Sequence, residues 1–267
     1  MGATRIRERI DVQTSGLVYH EHHARYLFAQ SYLRPGWTLD VACGVGYGAR
    51  ILSHRPRVSV IGVDVDEPAV RQARRYFSGH RVCFVAANGT ALPFDDGFFT
   101  NVVTLETLEH IVDGDAFLHE ITRVVADDGV CILSTPNRSY SQAHQVVNPY
   151  HAREYSRDEL VSMLLRYFAV VDVFDQGLDR RFREEVRAYA ASIQQRKQRL
   201  NRPLRLVIDH VYRPIKHLIP AAIANLFIRE LLRVSYPQPR PSDLIISHEP
   251  LDEASGFVAV CTCPLQR

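Results

Sequence analysis

Between residues 38 and 134 the chain alternates short apolar runs with stretches whose apolar positions recur at helical spacing. The runs are Thr38–Ala42, Val58–Val63, Val82–Ala86, Asn101–Leu105 and Gly129–Ser134, and the helical stretches fall at 46–54, 67–77 and 113–126. Continuous apolar runs suit strands buried on both faces, and parallel neighbours need a crossover, usually a helix, between them. The pattern predicts an α/β fold with a doubly wound, mostly parallel, Rossmann-like sheet. Ala169–Phe174 supplies a sixth strand and Gly256–Cys263 a seventh, the latter after a long helical excursion. Residues 17–34 read as a helix rich in aromatic and histidine side chains, ended by Pro35-Gly36. The expected organisation is therefore an N-terminal helix region (1–36), a core (37–178), a helical insertion (179–243) and closing strands (244–267).

Composition changes this picture little: of 267 residues 46% are hydrophobic and 23% charged, as in ordinary globular chains. No apolar run reaches the roughly 18 residues of a membrane span. The opening Met1–Asp11 has no apolar stretch of a secretory signal, and Arg5-Ile6 lacks the Ser/Thr that ends a myristoylation motif. Five cysteines without a C-x-x-C pair read as buried thiols in a reducing compartment, which points to the cytoplasm.

Charge is less even. Residues 180–240 hold 14 Lys/Arg against 4 Asp/Glu. Leu204, Val207, Ile208, Val211, Ile215, Leu218 and Ile219 recur there at helical spacing among Arg205, Arg213 and Lys216. Three roles stay open for 180–235: a packing element that makes a homo-oligomer, a lid over a large or anionic acceptor, or a peripheral contact with anionic membrane at its inner face. Nucleic acid is less favoured, because no recognition module accompanies the charge.

The candidate chemistry begins where the first strand runs into Leu39-Asp40-Val41-Ala42-Cys43-Gly44-Val45-Gly46-Tyr47-Gly48. Small residues there let the backbone turn tightly and approach a ligand, at the N-terminus of the next helix. Asp64 ends the second strand twenty residues after Gly44, where a carboxylate can accept both hydroxyls of a ribose. Gly44-x-Gly46-x-x-Ala49 also satisfies the nicotinamide-dinucleotide fingerprint. Asp40 separates the two ligands: a carboxylate there repels a pyrophosphate and welcomes an ammonium. S-adenosylmethionine has a ribose, an ammonium and a sulfonium, and no phosphate.

These residues, followed by V-I-G-V-D-V-D, A-N-G-T-A-L-P-F, V-V-T-L-E-T-L-E-H-I and E-I-T-R-V-V-A-D-D-G-V-C-I-L-S-T-P-N, resemble in order the motifs of class I S-adenosylmethionine-dependent methyltransferases. The resemblance implies that Asp40, Ala42, Cys43, Gly44 and Gly46 cradle the methionine part and Asp64 the ribose. Val65 then packs on the adenine face, Asn88, Gly89 and Thr90 meet its edge, and Leu105 lines the pocket. Two departures stand out: Ala42 replaces the usual first glycine, and Asn88 replaces the Asp that faces the adenine amine, though its carbonyl still accepts a hydrogen bond. The opening Y-H-E-H-H-A-R-Y-L-F-A resembles a lid helix of methyltransferases of bacterial polysaccharide and glycoconjugate pathways, whose Arg, here Arg25, meets the cofactor carboxylate. This favours a sugar, glycoconjugate or other small-molecule acceptor.

Glu106, Glu109 and His110 stand at i, i+3 and i+4 after the fourth strand, so one helical turn puts them on one face. His151, in Asn148-Pro149-Tyr150-His151 after the fifth strand, reaches the same crevice. The pattern resembles the metal-assisted small-RNA 2′-O-methyltransferases and ubiquinone-pathway O-methyltransferases, in which the matching residues hold a divalent cation. By that resemblance Glu106, Glu109, His110 and His151 hold Mg²⁺, Mn²⁺ or Zn²⁺. Without metal, His110 or His151 acts as the general base for a hydroxyl, with Glu109 beside it. RNA and quinones are the alternative acceptors, and a catalytically silent binding subunit is the non-enzyme alternative.

Overall fold

The computed structural model describes residues 17–199, 237 and 239–265. Strands β1 (Gly36–Val41), β2 (Val58–Asp64), β3 (Val82–Ala86), β4 (Phe99–Leu105) and β5 (Val125–Pro136) pair in parallel in the order β3-β2-β1-β4-β5. Past β5, β6 (Phe168–Leu178) is separated from it by β8 (Ala254–Pro264), antiparallel to both, and β7 (Leu244–Ser247) pairs antiparallel with the far edge of β6. Among the described residues the sheet therefore has eight strands rather than the seven expected. β7 is four half-buried residues on an edge, too short to announce a period-two pattern.

Seven helices flank the sheet among the described residues: α1 (Leu17–Tyr32), α2 (Tyr47–Leu52), α3 (Glu67–Phe77), α4 (Gly114–Val124), α5 (Arg138–Ala143), α6 (Arg157–Leu164) and α7 (Arg180–Arg199). Successive strand residues point to opposite faces, and each face feeds its own core. Leu39, Val102 and Leu133 pack with Phe117 and Ile121 of α4 and Leu160 of α6. Val60, Val103 and Ile132 pack with Tyr26 of α1, Ala49 of α2 and Val70 of α3. Each such fully buried aliphatic side chain contributes about 2 kcal/mol relative to exposure.

Local signals explain several helix ends. Asp66 caps α3, accepting from the Ala69 N–H at 3.3 Å, with Pro68 in the first turn. Ser156 and Glu159 form a reciprocal capping box that starts α6, and the S-x-x-E spelling of that helix was present in the sequence. Gly48 is required by packing: a Cβ there would lie 2.0 Å from the Tyr26 ring. Gly48→Ala should therefore push α1 off α2 and lower stability by about 1–3 kcal/mol, read as a fall in the urea midpoint at constant slope.

The expectation of buried thiols holds for three of the five cysteines. Cys43, Cys131 and Cys261 are buried thiols, but Cys83 and Cys263 are exposed. Cys263 has φ +55°, which turns it out of the shared face with Cys261 that regular strand geometry gives. Of the basic insertion, α7 is described, whereas Leu204 through Ile219 lie outside the described residues. No helix among the described residues is long and apolar enough to cross a membrane.

Candidate functional site

The register pairs Val41 with Val63 on one side and Thr104 on the other, so β2, β1 and β4 end side by side. The segments leaving those strands are Val65-Asp66, Ala42–Gly46 and Glu106–His110. Crevices at such strand ends are where open α/β sheets bind ligands.

In the turn after β1, Ala42, Gly44 and Gly46 all have positive φ, at 59°, 54° and 89°. Their roles differ. Nothing lies within 4 Å of where a Cβ on Gly44 would stand, so that glycine leaves open space above the turn. A Cβ on Gly46 would lie 2.7 Å from Ala73 and Phe84, so Gly46 is demanded by the core beneath. Ala42 carries a Cβ in the left-handed region at a cost of about 1 kcal/mol, so its replacement of glycine is not neutral. Cys43 is buried beside Gly62, and Leu105 is buried with Tyr26 in the core on the α1–α3 side. Both side chains therefore support the turn from within.

Asp64 is 6% exposed; its Oδ2 accepts the Gly44 N–H and its Oδ1 the Asp66 N–H, each at 2.8 Å. This fixes the carboxylate between the turn and β2 with lone pairs remaining on both oxygens. Val65 follows, 76% exposed, an apolar platform beside the crevice. Across from it, Asn88 Oδ1 accepts the Thr90 N–H at 3.1 Å. Gly89 leaves no room for a side chain, since a Cβ would meet Phe117 at 2.9 Å.

Asp40 behaves otherwise than the sequence led us to expect. It is completely buried under Tyr26, whose hydroxyl lies 3.3 Å from Oδ1. Burial, with the nearby Asp64 charge adding to it, pushes its carboxyl from 3.8 to about 8. Direct contact with a bound ammonium is closed off by the Tyr26 ring. Between those two values the folded chain keeps a proton that the unfolded chain has lost, so stability falls as pH rises through the window. Asp40→Asn should remove this contribution and flatten the decline, as urea unfolding across the window will show.

Glu106 departs furthest from expectation. Its φ of +51° interrupts the chain before the 3-10 turn Leu108–His110, so 106 and 109 do not share a helix face. Its Oε1 accepts the Ser134 hydroxyl at 2.7 Å, and its Oε2 lies 3.4 Å from Arg25 Nη2. Arg25, 5% exposed, also donates from Nε to Gln176 Oε1 at 2.5 Å. Glu106 thus leaves the expected four-ligand set, whose remaining members do converge: ligand atoms of Glu109, His110 and His151 lie within 4.8 Å of one another.

Glu109 is 1% exposed; Oε2 accepts the Thr135 hydroxyl at 3.0 Å and Oε1 is buried without a hydrogen-bond partner. Burial, reinforced by Glu106, holds its carboxyl well above the usual range. His110 Nδ1 lies 3.1 Å from the Tyr150 carbonyl, which can only accept, so Nδ1 carries the proton. Its Nε2 lies 3.9 Å from Glu109 Oε1. His151 Nδ1 meets Glu154 Oε1 at 2.6 Å and Nε2 meets Asn148 Nδ2 at 2.8 Å. Asn148 Oδ1 accepts the Tyr150 N–H at 3.0 Å, which fixes Nδ2 as the donor and His151 Nε2 as an acceptor. The two rings stand edge to face, 4.9 Å apart. Sequence reasoning had not given roles to Gln176, Ser134, Thr135, Asn148 or Glu154. Asn148 and Glu154 flank His151, and Ser134 and Thr135 lie in the I-L-S-T-P-N stretch of β5, whereas Gln176 sits on β6, remote from the quoted motifs.

Residues 39–133 match the methyltransferase domain family. A protein of Mycobacterium tuberculosis named a probable S-adenosylmethionine-dependent methyltransferase is 39% identical over 129 residues, 48% of this chain and 46% of that protein. Tocopherol O-methyltransferase of Arabidopsis thaliana is 28% identical over 117 residues, covering 42% and 34%. The chain thus spans about half the length of the first of these relatives. Among solved structures, a SAM-dependent methyltransferase of Thermotoga maritima superposes with a TM-score of 0.56 at 15% identity, over 92% of this chain and 90% of that one. The architecture is the Rossmann-like methyltransferase fold, and within it residues 39–133 are the part similar to the methyltransferase domain family.

Proposed function

We propose, from the premise that residues 39–133 are similar to the methyltransferase domain family, that this chain is an S-adenosylmethionine-dependent O-methyltransferase whose acceptor is a hydroxyl of a sugar, glycoconjugate or other small molecule. The observation that carries the choice of oxygen is the His110–His151 pair, in which both Nδ1 atoms face oxygen acceptors, so that Nε2 is the nitrogen on each ring that can take up a proton. A hydroxyl must lose its proton as it attacks, and neutral imidazole is suited to take it. The methyl carbon passes from sulfur to the acceptor oxygen, the S–C electron pair stays on sulfur, and the hydroxyl proton goes to a histidine Nε2. The sulfonium is already activated, so the protein's main tasks are alignment and proton removal.

Acceptor-dependent conversion of S-adenosylmethionine to S-adenosylhomocysteine, measured on sugars, lipid-linked glycans, hydroquinones and RNA together with amine counterparts, tests this. Turnover confined to amines would remove the oxygen reading. Failure to bind S-adenosylhomocysteine at all would favour a silent binding subunit.

A second reading is favoured by the orphaned Glu109 Oε1. Glu109, His110 and His151 would hold a divalent cation that lowers the pKa of the acceptor hydroxyl and orients it. With Glu106 turned to Arg25, two imidazoles and one carboxylate suit Mn²⁺ or Zn²⁺ better than Mg²⁺. Dialysis against chelator separates the readings. The metal reading expects turnover and bound metal to disappear together and Mn²⁺ or Zn²⁺ to restore both; the base reading expects turnover unchanged.

A further inference from the structure

The Arg25–Glu106 pair is placed where the tail of a ligand on the strand ends must arrive. A ribose on Asp64 lies over β2, the open space above Gly44 lies over β1, and Glu106 leaves β4, the next strand. Neighbouring strands are about 4.8 Å apart, so two strand spacings suit the length of an amino-acid side chain attached to a nucleoside. Asp40 cannot meet the charge on that tail, because Tyr26 covers it.

The pair itself is loosely made. Its 3.4 Å separation, through one guanidinium nitrogen, exceeds the ~2.7–2.9 Å of a good charge-assisted hydrogen bond. Each ion is nevertheless held firmly by a third group: Arg25 by Gln176, and Glu106 by Ser134. Glu106 also sits at φ +51°, a conformation that costs a residue with a side chain and that recurs at ligand clamps. Two opposite charges, anchored from behind and only partly satisfied by one another, form a receptor for a zwitterion. A ligand's carboxylate takes the place of Glu106 on Arg25 while its ammonium takes the place of Arg25 on Glu106. The exchange leaves the net charge of the buried site unchanged, which limits the desolvation cost.

We infer that Glu106 is the acceptor for the α-ammonium of the cofactor's amino-acid tail, acting with Arg25 as a zwitterion clasp rather than as a metal ligand. This assignment rests on the S-adenosylmethionine reading above. Glu21, on α1, and Glu109 are two further carboxyls within electrostatic reach of Arg25, and burial raises both. Gln176 is a positioning residue that aims Arg25 through its Nε.

The test is calorimetry with three ligands on the full chain: S-adenosylhomocysteine, its analogue with a hydroxyl in place of the α-amino group, and methylthioadenosine, which lacks the tail. Wild type should prefer S-adenosylhomocysteine to the hydroxy analogue, and Glu106→Gln should reduce that preference about 10- to 100-fold, the loss of one charge-assisted bond. Methylthioadenosine affinity should stay the same, which also certifies that the variant is folded. Glu106→Asp should retain part of the preference. An undiminished preference in Glu106→Gln overturns the clasp and leaves the cofactor reading standing. If wild type binds none of the three ligands, the cofactor reading itself falls, and the clasp with it.

Discussion

His110→Ala lowers the rate of methyl transfer by about 10²- to 10⁴-fold, the usual contribution of a positioned general base, while S-adenosylhomocysteine binds with nearly unchanged affinity. The separation follows from where the residue sits. His110 closes the 3-10 turn after β4 and is not among the cofactor contacts that the resemblance implies. About a third of its side chain is exposed, enough for an acceptor to reach it. Its Nδ1 proton is committed to the Tyr150 carbonyl, so Nε2 is the nitrogen that takes up the acceptor's proton. His151→Ala should cost less, since its Nε2 must first release the Asn148 amide. Added imidazole should restore part of the rate to His110→Ala, a rescue that a merely structural histidine would not show. Equal losses of cofactor affinity and turnover would move His110 from the chemistry to the scaffold.

The second large effect is on binding. Asp64→Ala weakens S-adenosylhomocysteine by roughly 10²- to 10⁴-fold, the loss of two charge-assisted bonds of about 1.5–3 kcal/mol each. The variant also strips the Gly44 and Asp66 N–H groups of their acceptor, so the turn after β1 loses its brace. Asp64→Asn separates the two consequences: its single carbonyl oxygen supports one contact on each side, and its affinity should fall between the others. Comparing S-adenosylhomocysteine with its 2′-deoxy analogue isolates the ribose share, which should vanish in Asp64→Ala. A preserved preference for the 2′-hydroxyl in that variant would place the ribose elsewhere.

Most of the fold was legible because its information is local. Val60 and Val103 read as strand residues from their neighbours alone, and the sheet's alternation sends them to one core and Val102 to the other. Gly44 and Asp64 were legible for the same reason: a strand, a tight turn and a terminal acid are features of contiguous sequence. Helices α5 and α6 were missed although Asn137 and Ser156 cap them, because each is too short for its apolar period to stand out.

Sequence by itself determined the parallel core, the glycine turn, the acid at the end of β2 and the gathering of Glu109, His110 and His151 at one strand edge. Tertiary structure alone decided which carboxylate joins which partner. The i, i+3, i+4 spacing of Glu106, Glu109 and His110 reports a shared face only if the helix is continuous, and the left-handed backbone at Glu106 breaks it. Arg25 and Gln176 are 151 residues apart; they meet because β6, between β8 and β7, passes beside α1. Asp40 is likewise sealed by Tyr26 only after α1 docks on Gly48. Spacing along a chain encodes contacts within an element, whereas contacts between elements follow from the order in which strands enter the sheet.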